Sequence, residues 1–414
     1  MNKTAISANL SFWDKHSRLI LLGTFFFLVF WGIIILSDSF LFFGANYECF
    51  NNVVFNQFCG IICGLVLFGF VLVINPKIVY RYPWIFLVIS WIVILTYALL
   101  YSGSFSEIRF FKHVLRGGNI IIFSFIFYFA SKIKKGNVYS KLEISAVTIT
   151  LLAAHIVIVQ FGDFLTDGIL FLTIILCCYL SGNKKTALFV FVCVAFFYMC
   201  FLLIQPYYLA GILNCYLQKT EPYQLKQSLR CFTSGGFWGI GPAGKYLSNG
   251  DAGQLALKQM DVPGLLPDFD VGFIFSVLGL QYGLWGVVLF TVSVLVIIGM
   301  GFKAVNNASD NGSALLIFAC VIILITRIFA GMGATLAITP INGEGIPLLS
   351  YSPGSVVLAF FCVSVIFINL YPKKKNSNKY SEINLRYLMI SITLLFSIVP
   401  LKYLYYILIR RYGI

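Results

Sequence analysis

Eleven apolar runs succeed one another along the chain, at 19–37, 56–74, 84–101, 118–133, 142–160, 168–181, 186–204, 272–300, 313–332, 353–371 and about 385–409. Crossing the hydrocarbon of a bilayer takes roughly 20 such residues in a helix. Inside lipid every backbone N–H and C=O must find its partner within the protein, so runs of this length form helices. The predicted fold class is an all-α polytopic membrane protein. Composition agrees: 60% of the 414 residues are hydrophobic and 11% are charged, against roughly 45–50% and about 25% in soluble domains. A water-soluble enzyme and a disordered chain are both excluded. The runs at 118–133 and 168–181 are short and require extension or tilt. The first run lacks a small-residue cleavage site and is expected to remain as a span.

The net charge of +14, from 29 Lys and Arg against 15 Asp and Glu, is spread over short loops. There is no basic face and no nucleic-acid motif, so nucleic acid is not an expected partner. With the N-terminus inside, most basic residues fall in inner loops, among them Lys3, Lys15, Arg18, Lys134, Lys135, Lys373, Lys374 and Lys375. The loop after the fifth run carries Asp163 and Asp167 and lies outside. This asymmetry predicts a cytoplasmic N-terminus. The last run then carries Arg410 and Arg411 outward, against the bias, so it either spans or lies in the interface as a hairpin or surface helix. The segment of about 205–271 is one long extracytoplasmic loop. Its charges nearly cancel, and Phe237, Trp238, Leu265 and Leu266 give it apolar turns, so it reads as a folded cap. No internal repeat supports an inverted-repeat transporter. Most of the eleven Cys sit in apolar runs with no metal-ligand spacing; Cys215 and Cys231 share the outer loop, and spacing alone does not fix a disulfide between them.

Polar groups at the outer rim carry the chemistry, because charge at membrane depth is expensive. They form three clusters. Arg109, Lys112, His113 and Arg116 precede the fourth run. They are either cations snorkelling to lipid headgroups or an anion clamp whose guanidinium forks suit a pyrophosphate. The second cluster runs from Tyr223 to Gly241 and from Leu266 to Phe275. Gly235, Gly236, Gly239 and Gly241 permit tight turns and close approach to a ligand. Asp268 and Asp270, at the head of the eighth run, are either helix caps or a general base for a sugar hydroxyl. The third cluster, Thr339 to Ser355, is broken by Gly and Pro. Such backbone near a membrane belongs where protein buries it or a cavity borders it. Arg327, inside the ninth run, needs a partner or a cavity, and His155 reads as a packing residue.

The order of these clusters resembles the SEDS family of FtsW, RodA and SpoVE proteins. The family's Tyr-Gln-x-x-Gln-Ser-Leu segment appears as Tyr223, Gln224, Gln227, Ser228 and Leu229, leading into Thr233-Ser-Gly-Gly-Phe-Trp-Gly-Ile-Gly241. Its Leu-Pro-Glu-x-His-Thr-Asp-Phe-Ile-Phe segment is similar to Leu266-Pro-Asp-Phe-Asp-Val-Gly-Phe-Ile-Phe275. Its Pro-x-x-Gly…Ile-Ser-Tyr-Gly-Gly-Ser-Ser segment is similar to Pro340, Gly343 and Leu349-Ser-Tyr-Ser-Pro-Gly-Ser355. The likeness is strongest over 205–371.

The resemblance implies about ten transmembrane helices of SEDS type over 1–372. A basic linker and an extra C-terminal hydrophobic helix follow over 373–414. It implies a lipid II polymerase, a peptidoglycan glycosyltransferase acting on undecaprenyl-pyrophosphate-linked disaccharide-pentapeptide during division or elongation. The expected location is the outer face of the bacterial cytoplasmic membrane, and the expected partner is a class B penicillin-binding protein. Within that reading Asp270, with Asp268 as second candidate, is expected to take over as the catalytic carboxylate. Arg109, Arg116, Gln227, Ser228, Gly235, Gly236, Ser350, Tyr351 and Ser355 bind substrate, and a divalent cation, Mg2+ or Mn2+, assists. The chain departs from the family in places. The family's acidic residue before Phe-Ile-Phe falls on Gly272, and Asp270 stands two residues early. The fourth-span Gln-Pro-Ser-Glu-x-x-Lys reads Arg116-Gly-Gly-Asn119 and Ile122, and the Gln-Pro-Asp-Leu-Gly-Thr after the fifth becomes Gln160-Phe-Gly-Asp-Phe-Leu-Thr166. An inactive scaffold that binds a transpeptidase or a lipid-linked sugar, another undecaprenyl-linked glycan polymerase or ligase, and a transporter are the competing expectations.

Overall fold

The computed structural model describes residues 12–43, 47–73, 84–99, 117–134, 223–242, 266–339, 341, 345–370 and 382–412, with scattered positions between 146 and 196. Among the described residues the long elements are α1 (Phe12–Phe43), α2 (Tyr47–Val73), α3 (Trp84–Leu99), α4 (Gly117–Lys134), α5 (Tyr223–Gly235), α6 (Ile274–Asn306), α7 (Asn311–Thr335), α8 (Pro353–Asn369) and α9 (Glu382–Tyr412). No strand occurs among these residues. Eight of the helices coincide with predicted apolar runs. The runs at 142–160, 168–181 and 186–204 lie largely outside the described residues. By length and composition His16–Phe40, Phe50–Val73, Ile274–Asn306, Asn311–Thr335 and Met389–Leu408 are each sufficient to cross a membrane, and Trp84–Thr96, Ile120–Ser131 and Pro353–Asn369 are shorter apolar helices.

Helix α7 is the hub. It packs against α4, α6, α8 and α9, and its apolar side chains are buried almost all round. A helix with no polar face belongs at the centre of a bundle. Its start is fixed by Asp310, whose carboxylate accepts from the Ser313 backbone N–H at 2.9 Å, a cap worth ~1 kcal/mol. Helix α2 lies along α8. A Cβ on Gly60 would stand 2.8 Å from Pro353 Cα, and one on Gly64 would overlap the Phe360 ring. Small residues are what let such backbones close up. The opposite face of α2 leaves Phe55, Phe58, Ile62, Val66 and Phe70 exposed, which suits lipid.

Side-chain bridges identify the two ends of the bundle. At one end Arg18 Nη2 donates to Ile368 O at 3.4 Å and its guanidinium lies over Phe367. Asn307 Nδ2 donates to Leu370 O nearby. The start of α1 therefore meets the ends of α6 and α8. At the other end the starts of α6 and α8 meet the end of α7. Helix α9 runs antiparallel to α6 along the bundle. Met389 faces Gly299, Phe396 meets Phe329 of α7, and Tyr403 reaches Gly279. Of the two placements open to the last run, this one lies along the bundle rather than across its end.

Candidate functional site

The second cluster begins with a helix, where the sequence suggested a Gly-rich stretch of loop. In α5 the buried residues are Leu225, Gln227, Ser228, Cys231, Phe232 and Gly235, one face at 3.6-residue spacing. That periodicity was present in the sequence, masked by its polar members. Ser228 Oγ donates to Thr335 O at 2.7 Å, so the 2.6 Å contact with Ser276 Oγ is one in which Ser276 donates. Ser228 thus ties α5 to α6 and α7 together. Gln227 is also buried, and its Oε1 has no hydrogen-bond partner among the described residues. It retains acceptor capacity for a ligand or water. Burial pushes the Cys231 thiol well above its ordinary range, so it is an inert packing group and a free one.

The glycines that follow join α5 to a break in α6. Gly283 lies at φ 61, ψ −156, inside α6, which no side chain tolerates easily. The break frees backbone groups that the turn at 236–241 takes up. Ile240 N donates to Leu280 O at 2.9 Å and Gly241 N to Gln281 O at 3.0 Å. In return Leu284 N donates to Gly236 O at 3.0 Å and Trp285 N to Phe237 O at 3.5 Å. A Cβ on Gly235 would stand 2.0 Å from Gly279 O, and one on Gly239 would stand 2.0 Å from Gln281 O. Gly235 therefore serves backbone contact with α6. Gly236, at φ +55 with nothing near its missing Cβ, serves the turn.

The carboxylates sit in the turn 267–273 ahead of α6. The N-cap of α6 is Phe273, with no side-chain cap bond, so neither aspartate is the N-cap. Asp268 adopts φ 53, and its carbonyl accepts from Val271 N and Phe273 N. Gln224 Nε2 of α5 donates to Asp268 Oδ2 at 3.3 Å. Asp268 is exposed, Asp270 half-buried, and Gly272 buried. Burial raises the Asp270 carboxyl above the ordinary carboxylate range. The neighbouring Asp268 charge adds to this, and the backbone N–H groups of Asp270 and Val271 offset part of it.

The third cluster docks on this turn. Tyr351 N donates to Asp270 O at 2.7 Å. Gln57 of α2 grips both sides of Tyr351: Nε2 donates to Ser350 O at 3.0 Å and Oε1 accepts from Ser352 N at 3.3 Å. Asn56 Nδ2 donates to Tyr351 Oη at 3.2 Å. Ser350 and Ser355 are fully buried, Ser350 Oγ bonding to Ile346 O and Ser355 Oγ accepting from Ser352 Oγ. Both hydroxyls shape the segment. Tyr351 keeps partial exposure. Sequence reasoning missed Asn56 and Gln57, and placed Gln224 in a motif without giving it a role. Polar amides at the head of an otherwise apolar run were the available signal for the first two. Removing the Gln57 amide, as in Gln57→Ala, deletes two buried hydrogen bonds at roughly 0.5–1.5 kcal/mol each. We expect a loss of about 1–3 kcal/mol, read as a lower unfolding temperature in detergent.

Among the described residues the positive φ angles outside glycine are Asp268 (53), Ala337 (54) and Leu348 (75). All three border this end of the bundle, and such conformations persist where surroundings over-determine them. Asp268, Asp270, Gln224 and Tyr351 are brought together. Arg109 and Arg116, with the rest of the first cluster, lie outside the described residues, as do Pro340 and Gly343. Ile122 is buried in α4, and His155 packs against Phe171. No group of three or more His, Cys, Asp or Glu gathers among the described residues.

A family model described as cell cycle protein, FtsW/RodA/SpoVE, matches residues 17–376. A Methylomonas methanica protein named "Probable peptidoglycan glycosyltransferase FtsW" is 33% identical over 35% of this chain and 34% of its own length. A Geobacter metallireducens protein of the same name is 25% identical over 49% of this chain and 52% of its own. The chain thus spans between about a third and a half of the length of these relatives. Among solved structures, a chain from a peptidoglycan synthase complex aligns with a TM-score of 0.61 at 13% identity, covering 86% of this chain and 98% of its own. The Thermus thermophilus rod shape determining protein RodA aligns with a TM-score of 0.56 at 10% identity, covering 86% and 97%.

Proposed function

From the chain's membership of the cell cycle protein family of FtsW, RodA and SpoVE, we propose that it is a peptidoglycan glycosyltransferase that polymerises lipid II. One observation carries the reading. A half-buried carboxylate, Asp270, with raised proton affinity, stands where α5, the head of α6 and the broken segment before α8 converge. A general base works best with a pKa drawn toward the working pH. In the proposed reaction the hydroxyl oxygen of one lipid-linked sugar attacks the anomeric carbon of the other. The bond from that carbon to the pyrophosphate oxygen breaks, and the hydroxyl proton passes to Asp270. Undecaprenyl pyrophosphate leaves with the bonding pair. Arg109 and Arg116 carry the charge suited to the leaving group. Gln227, with its spare acceptor, and the partly exposed Tyr351 supply polar contacts for the sugars.

A divalent cation belongs to the same proposal. Mg2+ takes one or two carboxylates and completes its shell with phosphate oxygens and water. Asp268, exposed and repelled by its neighbour, fits that demand while Asp270 stays free. The cation would supply neutralising charge at the pyrophosphate. The site faces outward from the bacterial cytoplasmic membrane, the N-terminus is cytoplasmic, and a class B penicillin-binding protein is the partner. The structural likeness to a chain of a peptidoglycan synthase complex supports a partner of that kind.

The departures in the fourth span favour a second reading, a scaffold without turnover. Where the resemblance expects a lysine, Ile122 is buried and apolar. Purified protein incubated with labelled lipid II, with Mg2+ or with chelator, decides between them. Glycan ladders on a gel that vanish with chelator support the polymerase. Intact lipid II, together with capture of a class B penicillin-binding protein, would establish the scaffold instead.

A further inference from the structure

Helix α9 starts beyond the family-matched residues 17–376, yet it reaches the joint between the Gly-rich turn and α6. Its buried side chains are Ile392, Phe396, Val399, Tyr403 and Ile407. That is a single stripe at helical spacing, laid on α6 and α7. At the joint Tyr403 is fully buried, its ring edge-on to Phe232 of α5 at 5.1 Å. Its single hydroxyl proton is shared between two carbonyls, Gly236 O at 2.9 Å and Gly279 O at 3.1 Å. The break leaves Leu280 O and Gln281 O to the turn at 236–241. Gly279 O, one residue ahead of them, faces Tyr403, so the hydroxyl bridges the turn to α6 beside the break. One turn further on, Tyr406 Oη donates to Leu336 O at 3.4 Å, at the end of α7.

We propose that Tyr403 is a positioning residue for the catalytic site. It stabilises the break in α6 and the Gly-rich turn, and through α5 it holds Gln224 against Asp268. The proposal rests on the glycosyltransferase reading for its consequence and on backbone geometry for its cause, so the two are separable.

The test uses the full-length protein in detergent carrying Tyr403→Phe, which keeps the ring in place. Tyr405→Phe, on the exposed side of α9, is the control. Losing a buried hydroxyl donor costs ~1 kcal/mol. We expect amide hydrogen exchange in 236–242 and 279–285 to rise about fivefold or more, while exchange in α8 stays unchanged. We expect kcat for lipid II polymerisation to fall severalfold with KM held. The control should change neither. Unaltered exchange in those two segments overturns the clamp whatever the activity. Faster exchange with unaltered kcat overturns its role in positioning. If the unmodified protein makes no polymer while Tyr403→Phe still loosens the joint, the clamp stands and the polymerase assignment is what fails.

Discussion

If the chain polymerises lipid II as proposed, Asp270→Asn is expected to lower the rate of polymer formation by ~10²–10⁴-fold, the usual worth of a general base. The amide is nearly the shape of the carboxylate, and the bond from Tyr351 N goes to the backbone carbonyl of residue 270, so the turn survives. Folding and chemistry separate through the sign of the pKa shift. The carboxyl is raised in the folded protein above its ordinary ~3.9. Between those two values the folded state binds more protons than the unfolded one, so this group's contribution to stability falls as pH rises through the window. At neutral pH the charged, half-buried form is a net cost that asparagine removes. Asp270→Asn should therefore unfold at the same or a higher temperature than the unmodified protein at pH 7 while making glycan only at that lowered rate. The activity of the unmodified protein should fall on acidification at a higher pH than an ordinary carboxylate would give, because the base form is lost there. Full activity in Asp270→Asn would remove this residue from the reaction.

Gly239→Ala is expected to prevent accumulation of folded protein, and Gly236→Ala to be tolerated. Both residues have positive φ, +76 and +55, a conformation that costs an alanine about 1–2 kcal/mol. At Gly236 nothing lies within reach of a new methyl, and that cost is the whole effect. At Gly239 the methyl would stand 2.0 Å from Gln281 O and 2.6 Å from Tyr282 N, both backbone atoms of α6 that have no rotamer to retreat to. Overpacking adds about 1–3 kcal/mol and forces apart the pairs at Ile240 and Gly241. The expected total is about 2–5 kcal/mol, read as lost monodisperse protein in detergent. Equal yields from the two variants would show that the joint between turn and α6 is loose.

The helical bundle was legible because hydrophobic runs of span length have one outcome in lipid. The three clusters were legible as clusters, since Gly, Pro and carboxylates at the rim stand out against an apolar chain. Their internal roles were not. Gly235 and Ser228 looked like ligand contacts and instead meet Gly279 and Thr335. Nothing in a linear pattern distinguishes a glycine that admits a substrate from one that admits another helix. Tyr403 carried no signal at all, because a tyrosine in an amphipathic membrane helix resembles any interfacial aromatic until its partner carbonyls are located. The helical face of α5 could have been found from Leu225, Ser228 and Phe232 had the glycines after it not suggested loop.

The reciprocal bonding between residues 236–241 and the break in α6 has an evolutionary corollary. Neither segment can be exchanged singly. A chimaera that took its outer cap from a relative with a straight equivalent of α6, or the reverse, would bury backbone donors and acceptors without mates at about 1–3 kcal/mol each. Recombination between members of such a lineage should therefore succeed at crossovers that move both segments as one block, and should fail at those that part them.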